Sequence, residues 1–479
     1  MKRYYIIAFG IFFIFFAFLQ FFTSHLIGAD SYYHVAVSEI VRKAHSIEPF
    51  WFTESILEHV DIHWLFHILL VPFTVFHPII GAKLAIILFA ALTFTLILWY
   101  LKKQNIPSPE MWILFILAGS YILLFRLTAV RVYMLSLAML ILAAYFFSKN
   151  NFKALAIIAF FYAWLYSGFP LLIVFALCYL LADYFLRKEF QYKPLVAVTT
   201  GSLLGLLINP FFPNILKVYY VQVFGGFVFP PLTDLPMEAL PFPSITIFLA
   251  ACWFTLAVLI FTLLTIGKKK VVFTKESVAW LLMSLFFLFF TYQSRRFVEY
   301  WIPFTTIACA FLIRDNNVDF GEKKGVLPKK LVFIIPITIL ILFFAVYQTN
   351  ENISYELNEQ RLQDYGSCIL ALRQHAQSND LVFVSWSKVP VFLLGNPNLN
   401  YINALDPVFL YAKSPELYNK YQSVINGTSV TPYKTIKEDF KANWVVVDKN
   451  NRDFALLIDG NKGFPLVFQS EVCAVFQVL

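Results

Sequence analysis

The chain has 479 residues, of which 59% are hydrophobic and only 14% charged, and its mean hydropathy is +0.70. A water-soluble domain carries about a quarter charged residues, so this composition excludes one and indicates a polytopic membrane protein. The formal net charge of +8 does not call for a nucleic-acid partner, because the basic residues fall in short segments between apolar runs, the pattern of cytoplasmic loops.

A membrane-spanning helix takes about 20 mostly apolar residues. In chain order the candidate spans are 5–23, 79–101, 110–126, 132–148, 153–168, 170–186, 195–211, 245–266, 275–293, 297–314 and 330–347, eleven in all. The first is long and lacks a small-residue cleavage site, so it reads as an anchor. With the N-terminus inside, the inner loops take Lys2 and Arg3, Lys102 and Lys103, Lys149 and Lys153, and Arg187, Lys188 and Lys193. They also take Lys268 to Lys270, and Lys323, Lys324, Lys329 and Lys330. Every inner loop is then basic, and the C-terminal region lies outside.

The first outer loop, 24–78, is long. Its segment DIHWLFHILLVPFTVF (61–76) is short for a span and carries two histidines, so it is expected to lie in the outer interface. A second outer loop covers 212–244. From 348 polar residues dominate: a helix is expected at 353–377 and strands at 381–386, 443–448 and 472–479, giving a small outer α/β domain, 348–479. Cys368 and Cys473 both fall in it, where a disulfide is allowed but not required.

Ionisable residues at a membrane are costly and mark function by default. Seven of the eight histidines (His25, His34, His45, His59, His63, His67 and His77) lie in or beside the first outer loop, with Asp30, Glu58 and Asp61. His59, His63 and His67, spaced by four, share one face if helical, and could bind an ion such as Zn²⁺ or Mn²⁺ or hydrogen-bond headgroups. In GADSYYHVAVSEIVRK (28–43), Asp30 reads as the N-cap of helix 31–43 and equally as a general base or metal ligand facing an outer cavity. Arg126 and Arg131 bracket the turn RLTAVR, and Arg295 and Arg296 stand in TYQSRRFVEYWIPF, with Glu299 one turn on. Such arginines either snorkel to lipid phosphates or clamp a phosphate ligand. Glu238, in PLTDLPMEALPFP, is a solvated loop acid or a further cavity carboxylate.

The order of these features resembles the GT-C class of membrane glycosyltransferases: the catalytic subunit of oligosaccharyltransferase, and the protein O-mannosyltransferases and lipid-A sugar transferases. Asp30 with Tyr32, Tyr33 and His34 looks like the acid motif after that family's first helix. SYILLFRLTAVRVYML (120–135) and SRRFVEYWIPF (294–304) are similar in placement to its arginine-bearing segments. Trp386 in VSWSKVPVFLLGNPNLNYINALDP (384–407) stands where its tryptophan motif follows a strand. Two departures are evident: Arg131, Val132 and Tyr133 occupy the place of the second acidic motif, and Ser387 and Lys388 replace the tryptophan motif's aromatic and acidic members.

The resemblance implies an α-helical GT-C-like membrane enzyme, a hexosyl- or oligosaccharyl-transferase in the plasma membrane or its equivalent. Its donor would be a polyprenyl-phosphate or pyrophosphate sugar, its acceptor a protein, glycan or lipid. Asp30 would be catalytic. Arg295, Arg296, Arg126, Arg131, Tyr33 and Trp386 would bind substrate. Asp30, His34 and Glu238 would hold a divalent ion such as Mg²⁺ or Mn²⁺. The competing classes are a transporter or flippase of a lipid-linked or anionic substrate, which calls for charged or broken helices near the midplane, and a non-catalytic scaffold.

Overall fold

The computed structural model describes residues 2–44, 53–228, 237–267, 271–318 and 329–479; His45, the lysines 268–270, Lys323 and Lys324 lie outside them. The helices in chain order are α1 (Lys2–Gln20), α2 (Ala29–Ala44), α3 (Trp64–Thr74), α4 (Pro78–Lys103), α5 (Pro109–Ala118), α6 (Tyr121–Thr128), α7 (Tyr133–Ser148) and α8 (Phe152–Leu165). There follow α9 (Pro170–Arg187), α10 (Lys193–Leu207), α11 (Asn214–Val228), α12 (Ile245–Ile266), α13 (Lys275–Gln293), α14 (Val298–Asp315) and α15 (Lys329–Gln360).

Among the described residues, seven helices are long and apolar enough to cross a membrane, or eight if the bent pair α5–α6 counts as one. The other three expected spans are the shorter helices α7, α8 and α10, of 16, 14 and 15 residues. Their apolar runs are cut by backbone breakers: the Ser167–Gly168 turn after α8, and Asn209–Pro210 after α10. The GSLLG stretch (201–205) explains how α8 and α10 approach so closely. A Cβ on Gly201 would lie 2.2 Å from the Ala156 carbonyl oxygen, and one on Gly205 2.6 Å from that of Phe160.

Helices α5 and α6 meet at a bend of 86°. A Cβ at Gly119 would stand 2.5 Å from Ile302 Cγ2, so glycine alone fits between the two helices there. Ser120 then caps α6 by accepting from the Ile122 N–H at 3.1 Å. Two bonds fasten the far end of α6 to the start of the chain. Gln20 Nε2 donates to the Thr128 carbonyl at 2.8 Å, and the Val130 N–H donates to Ser31 Oγ at 2.9 Å. Lys83, buried in α4, donates to the Gln20 and Thr23 carbonyls at 2.8 and 2.6 Å, closing the unsatisfied C-terminal end of α1.

Helix α15 does not stop at the expected border near 348. It continues as one helix to Gln360, and the expected helix 353–377 is its tail followed by a 3-10 turn (Leu362–Tyr365) and α16 (Gly366–His375). The C-terminal sheet has five strands, β1 (Leu381–Phe383), β2 (Asn400–Tyr401), β3 (Trp444–Asp448), β4 (Leu466–Gln469) and β5 (Cys473–Gln477), in the order β2-β1-β3-β5-β4. The β2–β1–β3 pairings are parallel and the β3–β5–β4 pairings antiparallel. This unit sits on the first loop: α17 (Val389–Gly395) packs on α2, Thr53 bridges to Tyr401, and Lys413 pairs with Glu54 at 3.4 Å.

Cys368 on α16 and Cys473 on β5 form a disulfide across 105 residues of sequence. On the chain-entropy account a loop of that length contributes about 4.7 kcal/mol. The Cys368→Ser, Cys473→Ser variant is therefore expected to unfold its sheet region at clearly lower denaturant, read by tryptophan fluorescence. In the wild type neither thiol should take maleimide before reduction; equal midpoints, or labelling without reductant, contradict the bridge.

Candidate active site

The site forms where the start of α2, the end of α6 and the start of α14 meet. Helix α2 begins at Ala29, so Asp30 lies in its first turn rather than at the cap expected for it, and its carboxylate still benefits from the free N–H groups there. Arg131 follows α6 by three residues, and the Val130–Ser31 bond sets it beside α2. Its guanidinium reaches Asp30 Oδ2 at 3.0 Å through Nη2 and Glu238 Oε1 at 2.6 Å through Nη1. Arg126, in the last turn of α6, donates to Glu238 Oε2 at 2.8 Å and to Glu299 Oε2 at 2.6 Å. The result is one chain of ion pairs, Asp30–Arg131–Glu238–Arg126–Glu299.

Burial alone would raise the proton affinity of Glu238. Arg131, then Arg126 and Arg296, outweigh it and hold this carboxyl well below the usual carboxylate range. Glu238 is therefore an ion at every working pH, with both oxygens engaged by guanidinium groups.

The ion-pair chain forms part of the wall of a cavity of about 430 Å³. Asp30, Arg126, Arg131, Glu238 and Arg295 line it on the bundle side, with Ile27, Tyr121, Ile122 and Phe125 as its apolar flank. Arg295, in the 3-10 turn Arg295–Phe297, donates Nε to the Pro241 carbonyl at 3.2 Å and has no carboxylate partner among the described residues. Arg296 does not line the cavity; its Nε is buried without a partner.

Of the opposite wall, Trp386 was expected at the substrate, whereas the helical part was not legible as a site. The wall comes from the tail of α15, with Asn352, Tyr355, Glu356 and Gln360, and from Trp386, Ser387 and Lys388 before α17. Glu356 accepts from Gln360 Nε2 at 2.5 Å, and Lys388 Nζ donates to the Gln360 carbonyl at 2.8 Å. Burial lowers the Lys388 ammonium below its ordinary value, against the pull of Asp448 at 3.4 Å. The signal that would have found this wall is the spacing by four of Asn352, Glu356 and Gln360.

Three expected placements change. Tyr33, expected at the substrate, is 2% exposed and lies in the core with its ring against His34 and His67. His34, expected as a metal ligand, has its Nδ1 2.8 Å from His67 Nε2, and His67 Nδ1 lies 2.6 Å from Asp61 Oδ2. With the carboxylate accepting from His67 Nδ1–H, Nε2 of a neutral His67 accepts from His34. The row His59–His63–His67 is not one helical face. His59 sits in a turn at φ 60° and α3 starts only at Trp64, so His63 and His67 turn inward alone. Among the described residues, no three of His, Cys, Asp or Glu converge as a metal-binding set.

No known family model matches the sequence, and no curated protein does. The structure is similar to the apo oligosaccharyltransferase of Archaeoglobus fulgidus, with TM-score 0.62 at 12% identity, covering 97% of this chain and 73% of that one. It is similar to ArnT from Cupriavidus metallidurans bound to undecaprenyl phosphate, with TM-score 0.62 at 11% identity, covering 99% and 98%. The Archaeoglobus fulgidus oligosaccharyltransferase AglB, in complex with an inhibitory peptide and a dolichol-phosphate, gives TM-score 0.61 at 11% identity and covers 100% and 74%. The chain has the GT-C fold. Within that fold Asp30, Arg126, Arg131, Glu238, Arg295 and Trp386 share one cavity, while Tyr33, His34 and Arg296 stand behind its wall.

Burial, then His67, holds the His63 imidazole down at about 3, and burial, then His67 and His63, holds His34 well below its usual value. An unfolded histidine takes its proton near pH 6.5. Below that pH the unfolded chain binds protons that the folded chain refuses, so stability present above about pH 6.5 is lost as pH falls toward the folded values. The melting temperature should drop between pH 7 and 5. It should drop less in His63→Phe, which keeps the stack on Tyr166 at 5.6 Å; equal slopes contradict this assignment.

Proposed function

We propose that the chain is a membrane glycosyltransferase that moves a sugar from a polyprenyl-phosphate or pyrophosphate donor to a protein, glycan or lipid acceptor on the outer face. One observation carries this reading: a carboxylate and an arginine without a carboxylate partner line one cavity that joins an apolar flank to a polar wall. The apolar flank suits a polyprenyl chain, Arg295 its phosphate, and the wall of Trp386, Glu356 and Gln360 an acceptor. The solved structures of the same fold carry undecaprenyl phosphate in ArnT and dolichol-phosphate in AglB, which supports a lipid-borne phosphate here.

In the reaction the acceptor's nucleophilic atom bonds to the anomeric carbon and the sugar–phosphate C–O bond breaks. The electron pair leaves on the phosphate, and the acceptor proton passes to Asp30, whose side chain is 39% exposed to the cavity. Arg295 and Arg131 offset the charge that develops on the leaving oxygen. No step is routed through a divalent metal, because Arg131 already lies between the carboxylates that would hold one. The transporter reading gains no support, since the charged residues gather at the two ends of the bundle rather than at its middle.

Two features support an N-terminus inside and a C-terminal region outside. At the opposite end of the bundle, Lys102 stands over the Tyr4 ring, Gln104 bonds Ser148 at 3.0 Å and Arg314 bonds the Gln104 carbonyl at 3.1 Å, which gathers basic residues on one face. The Cys368–Cys473 bridge belongs to an oxidising compartment.

The test is transfer from radiolabelled polyprenyl-phosphate and pyrophosphate sugars by the protein in nanodiscs. Asp30→Asn should lose about 10²–10⁴-fold while the chain still folds. Arg295→Ala should mainly raise the donor concentration needed. Wild-type rates in Asp30→Asn remove it from the chemistry; no turnover of any donor, with lipid accumulating across vesicles, replaces the enzyme by a transporter.

A further inference from the structure

The ion pairs around Arg131 bear on whether the site takes a metal. A divalent cation would need oxygen ligands from Asp30 and Glu238, at about 2.0–2.1 Å for Mg²⁺. Both Glu238 oxygens are already within 2.6–2.8 Å of guanidinium nitrogens, and Asp30 Oδ2 is 3.0 Å from Arg131. The third expected ligand, His34, is bonded to His67 and lies off the cavity wall. A metal would have to displace Arg131 from two carboxylates and then sit beside Arg126, a second positive charge. Coulomb repulsion and the loss of two charge-assisted bonds both oppose that.

We propose that Arg131 is the resident cation of this site: its guanidinium occupies, between Asp30 and Glu238, the position of a divalent metal. The carboxylates that a metal would organise are organised by a side chain that cannot be chelated away and stays charged at every working pH. The arginine at 131 where the resembled family has acids is then a replacement of the ion rather than the loss of a site. This inference stands without the proposed transfer reaction.

The test uses the full chain in nanodiscs and Mn²⁺ alone, followed by electron paramagnetic resonance, so no sugar donor is needed. Wild type should leave the Mn²⁺ signal as free ion. Arg131→Ala frees Asp30 and the Oε1 of Glu238, Oε2 staying with Arg126, and should take up about one Mn²⁺ per chain, and adding Asp30→Asn should abolish that uptake. Stoichiometric Mn²⁺ binding by wild type that disappears in Asp30→Asn overturns the proposal, as does absence of uptake by folded Arg131→Ala. Should Arg131→Ala fail to fold, Arg131→Lys, which keeps the charge without the fork, should exclude Mn²⁺ like wild type; uptake by it counts against the proposal. Once a donor is found in the transfer assay, wild-type turnover should stay within about twofold after chelation. A tenfold loss restored by Mn²⁺ overturns the inference while leaving the transfer reaction intact.

Discussion

The architecture of the cavity depends on one interaction, the fork of Arg131 between Asp30 and Glu238. Through Glu238 it continues to Arg126 and Glu299, so that the ends of α6 and α14, the start of α2 and the loop before α12 are joined by charge. Removing one member of such a buried set leaves its partner uncompensated and typically costs about 3–5 kcal/mol. The apolar sequence supplies the frame for this. Gly119 lets the 86° bend between α5 and α6 pack against Ile302 of α14, and the bonds from Gln20 to Thr128 and from Val130 to Ser31 fix the end of α6. Three carboxylates against two guanidinium groups leave Arg295 without a carboxylate of its own, which is the chemistry an incoming phosphate needs.

The second constraint is the continuity of α15. A helix that enters from the bilayer and runs unbroken to Gln360 carries Asn352, Glu356 and Gln360 over the cavity. Lys388 then ties the C-terminal unit to the helix end, while α17 packs on α2, the helix that bears Asp30. The carboxylate side and the polar wall are thus held to the same helix, so the two halves of the cavity cannot move far apart without unpacking α2.

Much of this was legible in the sequence because charge is so rare in it. In an apolar chain Asp30, Arg126, Arg131, Glu238 and Arg295 stand out singly, and the structure brings these five to one cavity. The three strands with continuous β-branched or aromatic runs were visible, whereas β2 has two residues and β4 is half exposed, too weak a pattern to separate from loop. Tyr33 and His34 were misplaced because an N-terminal acid motif does not say which face of the helix packs inward. The histidine row failed for a local reason, the left-handed turn at His59, which spacing cannot reveal. Glu356 was missed because the helix expected at 353–377 was assigned to the outer domain, and nothing in the composition shows that it continues the last span over the cavity. The partnership of Glu238 with two arginines more than 100 residues away is a tertiary fact.

The most direct measurement is a cryo-electron microscopy structure of the protein in nanodiscs with a polyprenyl phosphate bound. The phosphate should seat in the cavity beside Arg295, with the lipid chain along Ile122 and Phe125 and no metal density between Asp30 and Glu238. A phosphate seated elsewhere, such as the opposite-face pocket between Arg187 and Lys275, or an ion bridging Asp30 and Glu238 with Arg131 turned away, would contradict it.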